Sequence, residues 1–356
     1  MLKKPIVPLN TKEQPMSNVT QPFEFHGKAS EFFKIWIVNI MLSIVTLGIY
    51  SAWAKVRTRR YFYSNTLLRN SPFDYLADPM KILKGRLLAF ALILLYFFSG
   101  LLSPLLQGLL LICFVPLLPW IIIKSLQFNL YNSSYRNIRF HFRGEYFPAL
   151  WVFIGLPVLV AVSFGLAYPY FSKERKKYVI ANSYYGTEHF DMSASAGQFY
   201  RIYMKTGIVA LLIALVASGV IYALSLLLPV QHNPSIMVLP ILSTLLLLPF
   251  LMIVYGYVYT SLANLVINHT SLQQIRFESR LQTAHLCWLY FSNTLVIITS
   301  LGLLIPWAMI RTANYRISCL SVTSEGDLND FIAAESEHAE AIGEELDDLL
   351  GIDFGL

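Results

Sequence analysis

Apolar residues in this chain come in long unbroken blocks rather than in short alternating ones. Seven runs, at 35–54, 87–103, 105–123, 149–171, 206–229, 236–260 and 286–310, contain no Asp, Glu, Lys or Arg. About 20 consecutive apolar residues cross a bilayer core as a helix. Membrane strands would instead alternate residue by residue. The pattern predicts an all-α polytopic membrane protein. The opening Phe23–Gly27 alternates apolar and polar residues and reads as either a short strand or an interfacial segment.

Part of this pattern recurs. Phe23-x-Phe25-x-Gly27, Gly48, Arg59-Arg60-Tyr61, Asn65 and Phe73 return 117 residues later as Phe140-x-Phe142-x-Gly144, Gly165, Lys176-Lys177-Tyr178, Asn182 and Phe190. A worn third copy, 254 residues after the first, keeps Phe277, Asn293, Gly302 and Trp307-Ala308-x-x-Arg311-Thr312-x-x-Tyr315. A repeat of this length defines the building unit before any fold is named. The copies lie at 23–75, 138–191 and 277–320, interleaved with two helical hairpins at 87–123 and 206–260. An N-terminal tail (1–22) and an acidic C-terminal tail (321–356) flank this membrane domain.

The cations choose between two topologies. If all seven runs cross, the 27 Lys and Arg split into 13 and 14 on the two sides, against the expected excess on one side. If the three repeated runs dip in and return, only the two hairpins cross and all 27 share one side. Thr46-Leu47-Gly48, Ser163-Phe164-Gly165 and Ser300-Leu301-Gly302 supply a break in each repeated run, and glycine interrupts membrane helices where neighbours satisfy the freed backbone. The re-entrant reading is therefore preferred, with basic loops and both tails expected in the cytoplasm.

Composition sharpens this picture. Of 356 residues, 56% are hydrophobic and 13% charged, about half the charge of a soluble domain. Eleven of the 21 acidic residues follow Ser324, and no Lys or Arg follows Arg316. Ile342, Leu346, Leu349 and Leu350 share one face of a possible acidic helix in that tail. A basic protein surface is its expected partner, either on another protein or on the chain's own loops. Cys113, Cys287 and Cys319 are widely spaced and the seven histidines scattered. No metal spacing, disulfide frame or cofactor motif follows.

The basic-aromatic segments are the candidate binding residues: Lys55, Arg57, Arg59, Arg60 and Tyr61, then Lys176, Lys177 and Tyr178, then Arg311 and Tyr315. Tyr and Lys/Arg in this mixture suit the anionic headgroup layer of a phospholipid bilayer. Asn39 and Asn293 sit at matching depths inside apolar runs, where a polar side chain is expected to hydrogen-bond a neighbouring helix. Glu188, His189 and Asp191 form a polar loop rather than an acid–base set. No enzyme activity and no nucleic-acid binding is expected.

The stretch Phe25 through Phe62, with Ile35-Trp36-Ile37-Val38-Asn39 and Thr46-Leu47-Gly48-Ile49-Tyr50-Ser51-Ala52-Trp53-Ala54-Lys55-Val56-Arg57-Thr58-Arg59-Arg60, resembles the YjgN-like family. That likeness implies a multi-pass protein of the bacterial inner membrane and supplies no catalytic residues. Two functions remain open: handling or transport of a small solute or lipid, and a non-transporting scaffold that recruits a partner through the acidic tail.

Overall fold

The computed structural model describes residues 19–227 and 238–324 together with Ile332. Most of the N-terminal tail, the 229–234 turn and the acidic helix around 342–350 lie outside the described residues.

Three apolar helices stop in the same way. α1 (Ala29–Val45) and α11 (Thr283–Thr299) have 17 residues each, and the partners that follow, α2 (Ser51–Ser64) and α12 (Ile305–Ser318), have 14 each. Between them Leu47 and Leu301 take positive φ, and Gly48 and Gly302 follow at φ 91° and 88°. Each glycine N–H donates back into the helix, to Ser43 O at 2.7 Å and Ile297 O at 2.8 Å. Only glycine adopts that backbone without strain. The middle copy makes the same turn at Phe164-Gly165. Its incoming arm is broken into α6 (Tyr146–Leu150), a π-helical turn (Trp151–Gly155) and α7 (Leu156–Val162), before α8 (Tyr168–Ala181) returns. Pro157, which lacks an N–H, sits just after the wide turn.

The all-α expectation is overturned by a sheet. Eleven short strands pair antiparallel: β1 (Val19–Phe25), β2 (Thr66–Leu68), β3 (Ser71–Tyr75), β4 (Ser133–Tyr135), β5 (Ile138–Phe142), β6 (Ser183–Tyr185), β7 (Glu188–His189), β8 (Asp191–Met192), β9 (Thr270–Leu272), β10 (Ile275–Ser279) and β11 (Leu320–Ser324). Their order is β7-β6-β5-β4-β3-β2-β1-β11-β10-β9-β8. The terminal pair, β7 and β8, is separated in sequence only by Phe190. They are two halves of one strand, so the sheet comes back on itself as a ring. β1 and β11 close it near the chain ends, with Thr20 opposite Thr323.

Strands of two to seven residues are too short for their alternation to stand out against the apolar runs, except at Phe23–Gly27, whose alternating start lies in β1. The two-residue turns Arg69-Asn70 and Arg136-Asn137 have positive φ throughout, the geometry that matches strand twist in tight hairpins.

The remaining helices hang from the same ring. α3 (Pro79–Leu102), α4 (Pro104–Phe114) and α5 (Leu117–Tyr131) connect β3 to its neighbour β4, and α9 (Ala196–Leu227) and α10 (Val238–Asn268) connect β8 to its neighbour β9. The three short hairpins likewise join paired strands, β1 to β2, β5 to β6 and β10 to β11. One strand–hairpin–strand unit thus occurs five times. A single backbone bond closes each: His26 N–H to Asn65 O (2.9 Å), Leu76 to Asn132 (2.8 Å), Arg143 to Asn182 (2.9 Å), Ser193 to His269 (2.9 Å) and Arg280 to Cys319 (3.0 Å). Adjacent hairpins touch around the whole circle: α2 on α3, α5 on α6, α8 on α9, α10 on α11 and α12 on α1.

Pro79–Leu102, Ala196–Val220 and Phe250–Asn268 are long and apolar enough to cross a membrane, and α4 with α5, bent by 46° at Pro116, forms a broken fourth candidate. The short hairpins end at Leu47, Phe164 and Leu301, which are 94%, 97% and 94% exposed. Apolar tips this bare fit hydrocarbon rather than water.

Because every hairpin returns to one ring, turn residues from different units must face the same compartment. Single cysteines at Asn70→Cys and Thr187→Cys, on a background without native cysteines, are expected to react with an impermeant maleimide from the same side. Cysteines replacing Leu47 and Phe164 are expected to stay shielded from both sides. Labelling of positions 70 and 187 from opposite sides would contradict the ring.

Candidate functional site

Helix geometry aligns the cations before any side chain is considered. At 1.5 Å per residue, Lys55, Arg86, Lys124, Lys173, Lys205 and Arg311 lie roughly 10–14 Å along their helices from the sheet end. Beyond this collar, residues 35–54, 87–123, 146–172, 206–260 and 281–310 contain no Asp, Glu, Lys or Arg. Past the last charge, α1 runs on for about 16 Å and α9 for about 33 Å. Measured against a hydrocarbon core of about 30 Å, the first reach is one leaflet and the second is the whole core.

Three of the sequence candidates turn out to be structural clasps. Tyr61 Oη accepts from Lys28 N (2.8 Å) and donates to Lys28 O (3.0 Å). Tyr178 Oη donates to Glu145 O (2.9 Å). Tyr315 Oη accepts from Gln282 N (2.9 Å) and donates to Gln282 O (3.3 Å). Lys28 and Gln282 are the residues at which α1 and α11 begin, and Glu145 opens α6. Each phenol therefore pins the start of an incoming helix to the end of the returning one. Burial, and then the nearby Glu145, push the Tyr178 phenol up to about 12, so it remains a neutral donor. Arg60 Nε donates to Tyr75 O (3.3 Å). Lys177 and Arg57 point outward and are exposed. Lys176 is half-buried, its ammonium held below its usual pKa by desolvation and by Arg175.

The two asparagines sit in matching but unequal surroundings. Asn293 Nδ2 donates to Ala308 O (3.3 Å) and Thr312 Oγ1 (3.0 Å), and its Oδ1 accepts from Arg311 (3.1 Å), which also donates to Ser292 Oγ (2.6 Å). Asn39 Nδ2 makes the equivalent, longer contacts to Ala54 O and Thr58 Oγ1, both at 3.5 Å. Asn39 is only 5% exposed, yet its Oδ1 has no partner. The residue matching Arg311 is the outward-facing Arg57. In the second hairpin Leu156 fills the position and is 1% exposed.

Around Asn39 the first hairpin opens a cleft of about 640 Å³ between α1 and α2, lined by Trp36, Ser43, Ser51, Lys55, Thr58 and Arg59 among others. Arg86 of α3 donates to Ser51 Oγ across its rim. Arg59 is steadied by Tyr75 Oη (2.9 Å) and by Asn129 Oδ1. Desolvation, then Arg59 and Arg86, keep the Lys55 ammonium below its ordinary pKa. Among the described residues no carboxylate forms an ion pair with Lys55, Arg59 or Arg86. The positions matching Ser43, Ser51, Lys55 and Arg59 hold Val160, Tyr168, Ser172 and Lys176 in the second hairpin, and Ile297, Ile305, Met309 and Ala313 in the third. This set of polar residues therefore belongs to the first hairpin.

Of the cleft residues, Asn39, Lys55 and Arg59 stand out in the sequence, whereas Ser43, Ser51, Thr58 and Arg86 do not. A signal for Thr58 lies in the shared Arg-Thr pair at 57–58 and 311–312. Arg86 carried no local signal, because only the packing of α3 on α2 brings it in. Glu188, His189 and Asp191 are strung along β7 and β8, and no three His, Cys, Asp or Glu side chains could hold a metal among the described residues.

A family model described as a bacterial protein of unknown function, DUF898, matches residues 20–349. The inner membrane protein YjgN of Salmonella typhimurium (strain LT2) is 33% identical over 159 residues, 44% of this chain and 40% of that protein. Its counterparts in Escherichia coli O157:H7 and K12 are each 30% identical over 152 residues, 41% of this chain and 37% of theirs. The chain thus matches about two fifths of the length of these curated relatives. No solved structure matches.

The contrast between the hairpins is testable. Arg311→Met strips Asn293 Oδ1 of its donor at a buried site and is expected to destabilise the protein by about 1–3 kcal/mol. Arg57→Met, at the matching exposed position, is expected to change stability by less than about 0.5 kcal/mol. Thermal unfolding of both variants in the same detergent distinguishes them. Equal losses would contradict the assigned pairing.

Proposed function

The chain belongs to the DUF898 family of bacterial proteins, and from that premise we propose that it is an inner-membrane protein that holds a phosphate-bearing lipid headgroup in the cleft of its first hairpin. The observation that carries this reading is the buried Asn39 Oδ1, an acceptor without a donor, in a cleft edged by three cations without an ion-pair carboxylate among the described residues.

The chemistry is complementary. Lys55, Arg59 and Arg86 supply donors and charge for phosphate oxygens. Asn39 Oδ1 supplies an acceptor for a headgroup hydroxyl or ammonium. The cleft opens among Trp36, Ile40 and Ile44, which suit the acyl chains. Its depth fits too, since Lys55 belongs to the cationic collar and Asn39 lies just beyond it. A free solute carrying only charge would leave the apolar part of the lining unused. Under this reading the collar faces anionic headgroups of the cytoplasmic leaflet and the sheet lies in the cytoplasm, a placement that the concentration of cations on one side supports. The similarity to inner membrane proteins supports placement in that membrane.

Purified protein in neutral detergent, titrated with fluorescent phosphatidylglycerol, tests the assignment. Lys55→Gln and Asn39→Leu are each expected to weaken saturable binding by about tenfold, the loss of one charge-assisted or buried hydrogen bond. Lys176→Gln, in the second hairpin, is expected to bind as the wild type does. Unchanged binding in both first-hairpin variants, or an equal loss in Lys176→Gln, would refute the site.

A further inference from the structure

The ring of strands encloses an apolar cavity of about 190 Å³ with no polar surface. Each of the five units contributes one phenylalanine to it: Phe23, Phe73, Phe140, Phe190 and Phe277. The two phenols that reach it are satisfied in the wall, Tyr135 Oη donating to Leu68 O (2.7 Å) and Tyr185 Oη to Tyr135 O (3.1 Å). A cavity with these walls offers nothing to water and binds by apolar contact alone. One further residue completes the lining. Ile332, from the acidic segment after β11, is 7% exposed and packs into this core.

We propose that the ring interior is a receptor site for an aliphatic side chain carried on an acidic peptide, and that Ile332 of the same chain is its resident, displaceable occupant. Ile332 packs with Leu68, Ile138 and Ile275, the strand residues next to the tight turns, so it sits at the face of the ring opposite the helices. That face is basic: Arg69 and Arg136 occupy turns, and Arg139 and Arg276 alternate with inward-facing residues on β5 and β10. The residues flanking Ile332 in sequence include Asp327, Asp330, Glu335 and Glu337. Burial of one isoleucine among apolar walls is the kind of contact that holds a tethered plug and still releases it. The acidic tail expected to recruit a partner is, at Ile332, already engaged by its own chain. A partner would have to offer a better side chain or draw the plug out.

The test uses the full chain in detergent. A fluorescent peptide spanning residues 325–340 is expected to bind the Ile332→Asp protein saturably, more weakly as salt rises, and not to bind the wild type. The same peptide carrying Ile332→Asp is expected not to bind either protein. Binding to wild type and variant alike, or equal binding by the two peptides, would overturn the proposal. A second measurement does not depend on the Ile332→Asp protein folding. With the native cysteines replaced by serine, Ile332→Cys is expected to react with a maleimide at least tenfold more slowly than the unfolded chain. Reaction at the unfolded rate would also overturn the proposal.

Discussion

Backbone hydrogen bonding in a closed circle of strands is the constraint on which this molecule depends. Strands as short as two residues cannot persist alone, and an open sheet would present unpaired edges. Closure removes both problems, because the terminal β7 and β8 are consecutive halves of one strand that pairs with β6 on one side and β9 on the other. The consequence for the membrane part is strict. Each helical excursion begins on one strand and must end on the strand hydrogen-bonded to it. Reversal of the three short hairpins at Gly48, Gly165 and Gly302 is thus demanded from below by the sheet and permitted above by glycine.

The same constraint explains why the helices differ so much in length without disturbing the whole. A unit needs only a fixed base: an incoming phenylalanine, a returning residue that packs beside it, and the backbone bond three residues beyond that phenylalanine. What happens above the base is free to vary. Two units extend into hairpins long enough to span the hydrocarbon, and three stop after about half that length. Above the collar the hairpins can also diverge chemically. The third spends its arginine on Asn293, the second fills the place with Leu156, and the first leaves Asn39 facing a cleft. The cleft lies where one copy of a structural contact was left incomplete.

Much of this was legible in the residues. The long apolar runs, the break at each Gly, the concentration of cations toward one side and the special depth of Asn39 and Asn293 were all visible. The sheet was not, for physical reasons. Thr66–Leu68 or Ser133–Tyr135 is too short to show a period of two, and the inward aromatics that mark the strands also suit an interfacial loop. Tyr61, Tyr178 and Tyr315 read as headgroup contacts because a tyrosine beside arginine usually is one. Their partners are backbone atoms 33 residues away, which no local pattern reveals. The two long hairpins belong to the same series as the short ones, but their bases are separated by inserts of unequal length, and that hid the fivefold count.

Closure between the first and last strands is the most exposed part of the account, since it joins segments some 300 residues apart. Thr20 and Thr323 face each other there, with their hydroxyl oxygens 3.1 Å apart. Oxidation of a Thr20→Cys, Thr323→Cys protein lacking its native cysteines is the direct measurement, with Asp74→Cys, Ser134→Cys on β3 and β4 as the internal control. The ring predicts that both pairs form intramolecular disulfides, seen as faster migration on non-reducing gels. A disulfide in the control pair without one between positions 20 and 323 would mean that the sheet is open, and that nothing obliges the hairpins to return to a common face.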